Sequence, residues 1–205
     1  VQRKSDRDGS LFDYFRDRVM FPIENRQGKV IAFGARALGD AQPKYLNSGD
    51  GPTFSKKAVL YGWVQARDAV RRNLPLVVVE GYMDVIAVQR SGVAAAVAPL
   101  GTALTPEQIS LLWKLHDEPI LCFDGDAAGQ RAQLRALKRI LPVLEPGRSA
   151  RLAVLPAGKD PDDVLSASGA EGLRKILGAA RSLIDSMWAA VAEQFDVQQP
   201  EARAQ

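Results

Sequence analysis

From Leu74 onward the chain alternates short unbroken apolar runs with stretches of helical spacing. LPLVVVE (74–80) is continuous and β-branched, as expected of a strand covered on both faces. YMDVIAVQRSG (82–92) reads as a helix closed by Gly92, and VAAAVAPLG (93–101) as a weaker strand. Thr105, Pro106 and Gln108 form a helix start with a capping residue, a first-turn proline and a reciprocal glutamine. ILCFDGD (120–126) is the next strand, followed by a helix from Ala127 to about Leu144, with Pro142 marking its fraying end. ARLAVLPAG (150–158) is the last strand, and from Ala170 the pattern is helical to the end. Four strands with helical crossovers predict an α/β domain around a parallel four-stranded sheet.

The first third has a different rhythm. Val1–Asp8 is polar, and Ser10 is placed to cap a short helix, LFDYFRDR, through Arg18. VMFPI and KVIAFGARA flank a polar turn ending in Gly28, which predicts a β-hairpin with Pro22 on an edge strand or bulge. Residues 39–57 are rich in Gly, Pro, Ser and Lys and read as one long loop; loops of that length in compact domains are usually functional or mobile. Leu60, Trp63, Val64, Ala66 and Val70 then follow helical spacing. Three regions are expected: a basic amino-terminal α+β subdomain (1–73), the α/β domain (74–168) and a small helical segment (169–205).

Composition changes this picture little. Apolar residues make up 46% and charged residues 25%, the proportions of an ordinary globular protein. The single cysteine, Cys122, sits in an apolar run without metal-ligand spacing, which fits a buried core residue in a reducing compartment. No apolar stretch is long enough to span a membrane, and no signal-peptide pattern is present. The chain opens on Val1, so a piece of a longer protein is expected. Charge is unevenly spread: residues 1–75 carry +6 and residues 76–205 carry −3. A basic front beside an acidic back suits a polyanion that is held and then reacted, although a solvated basic face has the same signature.

The candidate chemistry lies in three acidic clusters, each where an apolar run gives way to a turn: Glu80 with Asp84, Asp124 with Asp126, and Asp160 with Asp162 and Asp163. Acids at the carboxyl ends of neighbouring parallel strands converge. Such a cluster repels itself unless hard cations sit between the oxygens. Each motif alone is weak. Asp-Gly-Asp occurs in surface turns, Asp162 could cap the helix that follows, Glu80 could be a buried acid paired with a cation, and the dipole of its helix would favour Asp84 in any case. In order along one sheet they suggest a two-cation clamp for in-line phosphoryl or nucleotidyl displacement. No nucleophilic triad is visible, and His116, the only histidine, ends a helix where a dipole interaction accounts for it.

EGYMDV, PLGTALT, CFDGDAAG and GKDPDD resemble the motifs of the Toprim fold. With FRDRVMFPI, VIAFGARAL, PKYLNS and TFSKKAVLYG upstream, the chain from about Phe12 to Phe195 resembles the RNA-polymerase core of bacterial DnaG-type DNA primases. The resemblance implies a cytoplasmic DNA-directed RNA polymerase, a nucleotidyltransferase of DNA replication and the primosome. It would make short RNA primers on single-stranded DNA from nucleoside triphosphates with Mg²⁺ or Mn²⁺. It makes Glu80, Asp84, Asp124 and Asp126 catalytic; Glu80, Asp124, Asp126, Asp160 and Asp162 metal-binding; and Arg18, Arg36, Lys44, Tyr45, Asn47 and Lys56 contacts for nucleotide or DNA. The family's zinc module has no counterpart in this sequence, which lacks a Cys/His cluster, and its helicase-binding module is not recognised either. Alarmone nucleotides at the nucleotide site and a monomeric state are further expectations. Other Toprim enzymes, topoisomerases or OLD-type nucleases, are the rival reading, together with a non-catalytic Toprim module. A topoisomerase needs a nucleophilic tyrosine, and Tyr14, Tyr45, Tyr61 and Tyr82 stand in no recognisable strand-cleaving motif.

Overall fold

The computed structural model describes residues 2–4, 8–101 and 103–194. The chain divides into two compact units, 1–55 and 56–205. Residues 56–73, expected with the basic subdomain, therefore pack with the second unit, and the terminal helices belong to that unit too.

In the first unit, β1 (Gln2–Lys4) and β2 (Leu11–Asp13) form a small antiparallel ribbon. The helix expected from Ser10 to Arg18 is absent. The Ser10 amide and hydroxyl both donate to Asp8 Oδ1, closing an Asx-type turn instead of capping a helix. Asp17 adopts φ 52°, a left-handed conformation that no helix interior accepts. β3 (Arg18–Glu24) and β4 (Val30–Ala37) make the hairpin, with Pro22 on an edge strand as its missing N–H requires. The long loop contains a strand the sequence reading missed: β5 (Tyr45–Asn47) pairs with β4, held further by Ala37 N–H to the Lys44 carbonyl and Ser48 N–H to the Phe33 carbonyl. Three residues are too few to show a period of two.

The second unit is a sheet of order β10-β9-β8-β6-β7 between two layers of helices. β6 (Leu76–Val78), β7 (Ala95–Val97), β8 (Ile120–Leu121) and β9 (Arg151–Leu152) are parallel, as expected. A fifth strand, β10 (Arg181–Ser182), adds an antiparallel edge that the sequence did not reveal. The β6 run explains its own composition. Leu76 and Val78 enter one core with Trp63, Ile109, Leu112 and Phe123, while Val77 and Val79 enter the other with Val85, Val88, Cys122 and Leu173. The helices are α1 (Trp63–Val70), α2 (Tyr82–Ser91), α3 (Pro106–Leu115), α4 (Ala127–Ile140), α5 (Pro161–Gly178) and α6 (Leu183–Gln194). Thr105 caps α3 reciprocally with Gln108, as read from the sequence. α4 ends at Ile140 and passes into a 3₁₀ turn over Leu141–Val143. α5 starts nine residues earlier than the pattern suggested and breaks at Gly169, whose φ 64° and ψ −169° lie in a region that only glycine occupies readily. Its cap is Asp160, not Asp162. At the end of α3, His116 Nδ1 accepts the Glu118 N–H at 3.0 Å.

Candidate active site

The chain leaves β6 for β7 on one side and later returns to place β8 on the other. The crevice at the carboxyl end of β6 is thus a topological switch point, where α/β sheets bind their ligands. Glu80 follows β6 and Asp124 follows β8, on adjacent parallel strands. Glu80 Oε1 accepts the Asp124 N–H at 3.1 Å, so the first two clusters meet directly.

The third cluster is brought in through backbone. Gly125 N–H donates to the Lys159 carbonyl at 2.9 Å, and Gly158 N–H donates to the Gly125 carbonyl at 3.0 Å. A Cβ on Gly125 would lie 2.0 Å from the Pro156 carbonyl oxygen, so only glycine permits this approach. Gly129 is held as closely: its Cβ would lie 2.0 Å from the Asp124 carbonyl oxygen, which seats the first turn of α4 on the acid loop.

Asp84, Asp126 and Asp160, like Glu80, each spend an oxygen on a backbone amide. Asp126 Oδ1 caps α4 through Ala128 and Gly129 N–H, both at 2.8 Å. Asp160 Oδ1 caps α5 through Asp163 N–H at 2.7 Å, and Asp84 Oδ2 accepts the Gly81 N–H at 3.1 Å. Three helix amino-termini thereby face the acids, and their dipoles favour negative charge there.

The electrostatics remain unfavourable for bare carboxylates. Burial first, then Asp124 and Asp160, push Asp84 up to about 7, against the opposing Gly81 hydrogen bond. Burial, then Glu80 and Asp160, push Asp124 up to about 6. No basic side chain contributes to either shift. Asp124 Oδ1 is buried without a hydrogen-bond partner. An orphaned acid oxygen amid uncompensated negative charge fits a hard divalent cation. The acids do not form one closed cage, however: among the described residues, no three His, Cys, Asp or Glu side chains gather into a metal-holding group. That arrangement fits an ion that keeps much of its water. Asp163, not Asp162, acts on Asp124; Asp162 is exposed in the first turn of α5.

Arg36, Tyr45 and Asn47 lie in the first unit. Register places Arg36 opposite Tyr45, and Gly34 opposite Asn47, so the three share one face of the sheet. Arg36 Nε is buried without a hydrogen-bond partner. Lys44 is exposed immediately before β5. The Arg18 guanidinium donates to the Pro43 carbonyl at 2.7 Å, holding the segment that carries Lys44. Lys56 lies in the second unit, where the buried Gln108 Nε2 grips the Lys56 and Val59 carbonyls and the Thr105 hydroxyl grips that of Lys57. Neither Arg18's clasp nor Gln108's tether was legible, because side-chain bonds to distant backbone leave no local pattern. Cys122 is fully buried, its thiol pushed up to about 12. Tyr82 is buried edge-on against Tyr61 at 4.6 Å, and burial raises its hydroxyl further from ionisation, which disfavours it as a strand-cleaving nucleophile.

Comparison with known proteins agrees with this architecture. Residues 1–67 match the DNA primase catalytic core, N-terminal domain, and residues 75–152 match the Toprim domain. A DNA primase of Pasteurella multocida is 45% identical over 195 residues, 95% of this chain and 34% of that protein. A crystal structure of a DNA primase domain from Pseudomonas aeruginosa superposes with TM-score 0.93 at 42% identity, covering 99% of this chain and 64% of that one. A DnaG primase catalytic domain bound to ssDNA superposes with TM-score 0.91 at 40% identity, covering 99% and 63%. The chain spans about a third of the curated P. multocida relative. With both family models matched in order and the fold shared throughout, the chain belongs to the bacterial DnaG-type DNA primase family and carries part of its catalytic core.

Proposed function

We propose that this chain supplies the nucleotidyl-transfer centre of a DNA primase, joining ribonucleotides from nucleoside triphosphates into short RNA primers on a single-stranded DNA template. The observation that carries this reading is Asp124, side by side with Glu80 at the switch point, with a buried oxygen that has no partner. Glu80, Asp124, Asp126 and Asp160 would hold Mg²⁺ or Mn²⁺, each ion taking one or two carboxylates and completing its shell with water and phosphate. Bound there, such ions would lower the pKa of an attacking hydroxyl and neutralise charge on the leaving pyrophosphate. Asp84 supports Glu80 by fixing the Gly81 amide, and Asp162 is left with an outer role.

Arg36, Lys44, Tyr45, Asn47 and Lys56 would contact nucleotide and template, with Arg18 positioning Lys44. Arginine suits fork-like phosphate contacts and lysine a mobile point charge. The ssDNA named for the structural relative is the template class proposed here. A replicative helicase, alarmone nucleotides competing for the nucleotide site, a monomeric state and a cytoplasmic location belong to the same proposal. No helix among the described residues is long and apolar enough to cross a membrane.

The decisive test uses Asp124→Asn and Asp126→Asn in the full-length protein, with labelled ATP and a single-stranded template. Both should lose primer synthesis by at least about a hundredfold, the scale of removing one group that stabilises transition-state charge. Undiminished synthesis by both variants would defeat the reading.

A further inference from the structure

Where α4 and α6 straddle the sheet, a cavity of about 340 Å³ opens away from the acids. Gln130, Gln133, Leu134 and Leu137 line it from one face of α4, while Ala132 and Arg135, on the opposite face, border the crevice beside Glu80. Leu152 and Val154 form its floor, and register sets Arg181 opposite Leu152. Its far wall is Ser186, Ala189 and Ala190 on α6, and the two alanines leave the room that larger side chains would fill. The volume falls at the lower end of the roughly 300–1,000 Å³ of small-molecule sites, enough for one ligand of mononucleotide size. The polar groups are sorted by sign. Arg181 is exposed, and its guanidinium has no hydrogen-bond or ionic partner among the described residues, so its charge is not quenched. Ser186 is buried, and its hydroxyl donates to the Ser182 carbonyl at 2.8 Å. Gln133 Nε2 donates to the Ala153 carbonyl at 3.3 Å. Ser186 Oγ and Gln133 Oε1 accept nothing from the described residues, and no acid lines the cavity.

We propose that this cavity binds a small anionic heterocycle bearing an exocyclic amine, the chemistry of an adenine mononucleotide, at a site separate from the acid crevice. The amine donates inward to the Ser186 and Gln133 oxygens, and the anion rests in the Arg181 fork at the mouth. The ring lies between them on Leu134, Leu137 and Leu152. A ring with a carbonyl in place of the amine would set oxygen against oxygen in the buried end, which is the basis of selection. The catalytic acids take no part, so occupancy needs no divalent ion and does not depend on the nucleotidyl-transfer reading.

The test is isothermal titration calorimetry on the full-length protein in EDTA, where no metal can carry a phosphate to the acids. The probes are adenosine 5′-monophosphate (AMP), inosine 5′-monophosphate (IMP), which has a carbonyl where AMP has its amine, adenosine, which lacks the phosphate, and inorganic phosphate. AMP should bind saturably, about tenfold tighter than IMP and about tenfold tighter than adenosine, the scale of one hydrogen bond in each case. Inorganic phosphate should bind more weakly than AMP, because it leaves the apolar floor uncovered. Arg181→Ala, at an exposed position, should reduce AMP to the affinity of adenosine and leave adenosine unchanged, and Arg181→Lys should recover only part. Ala190→Leu, which fills the cavity from α6, should weaken AMP and adenosine alike by at least about tenfold. The absence of saturable AMP binding overturns the proposal, as does equal affinity for AMP and IMP. Unchanged AMP binding by either Arg181→Ala or Ala190→Leu overturns it too. AMP binding that appears only when Mg²⁺ is supplied also overturns it, because the acid crevice is then the site. The two readings fail separately: wild-type primer synthesis by Asp124→Asn would sink the chemistry and leave metal-free AMP binding untouched.

Discussion

Asp124 is costly to fold around. Its carboxyl and that of Asp84 hold protons more tightly in the fold than in the unfolded chain. Their contribution therefore favours the fold below pH of about 4, and it is lost as pH rises through about 6 for Asp124 and about 7 for Asp84. The metal-free protein should lose thermal stability across that window, and Mg²⁺ should restore it at pH 8. Asp124→Asn should raise the Tm of the EDTA-treated protein at pH 8 by about 3 °C, on the order of 1 kcal/mol after allowance for solvent screening. A flat melting profile from pH 4 to 8, with no effect of the substitution, would show that the acids do not repel one another as the geometry requires. Gly125 acts in the opposite sense. Gly125→Ala drives a methyl into the Pro156 carbonyl and should cost about 3 kcal/mol, measurable by urea unfolding.

Among the elements, legibility followed length and chemistry. α2 and α3 were visible because their punctuation is local: Gly92 closes one, and Thr105, Pro106 and Gln108 open the other. β6 was visible because both its faces are buried, which leaves an unbroken apolar run. β5 and β10 were not, since two or three residues cannot carry a period and their partners are chosen by tertiary contact. The Ser10–Arg18 helix failed because Asp8 captured the proposed cap. Gln108 shows a further layer. Its amide closes the α3 capping box and also ties down Lys56 and Val59, with no exposure to solvent. Gln108→Ala leaves several buried backbone groups unpaired and should cost about 2–3 kcal/mol in chemical denaturation. Gly169→Ala, at the break within α5, should cost about 1–3 kcal/mol through backbone strain alone, because nothing crowds that position.

For the molecule as a whole, the two units divide the proposed labour. Basic contacts are borne mainly by residues 1–55, and the acids by residues 56–205. Lys44→Ala should weaken binding of nucleotide or single-stranded template several-fold while shifting Tm by less than about 2 °C, since an exposed side chain outside the core adds little stability. A collapse of Tm with binding intact would contradict that assignment. The sequence announced which acids matter through their place at strand ends. It did not announce that Asp84, Asp126 and Asp160 would be tied to backbone amides, because that depends on how closely α2, α4 and α5 approach the sheet.

The turn from Pro156 to Lys159 is wholly exposed and looks like ordinary surface. Its bonds to Gly125 give it a fixed length instead. One added residue would pull the amino-terminus of α5 out of alignment with that of α4, and Asp160 with it. Linker-scanning across the protein should therefore find tolerant ground at the equally exposed 144–147 turn and a sharp loss of function twelve residues later.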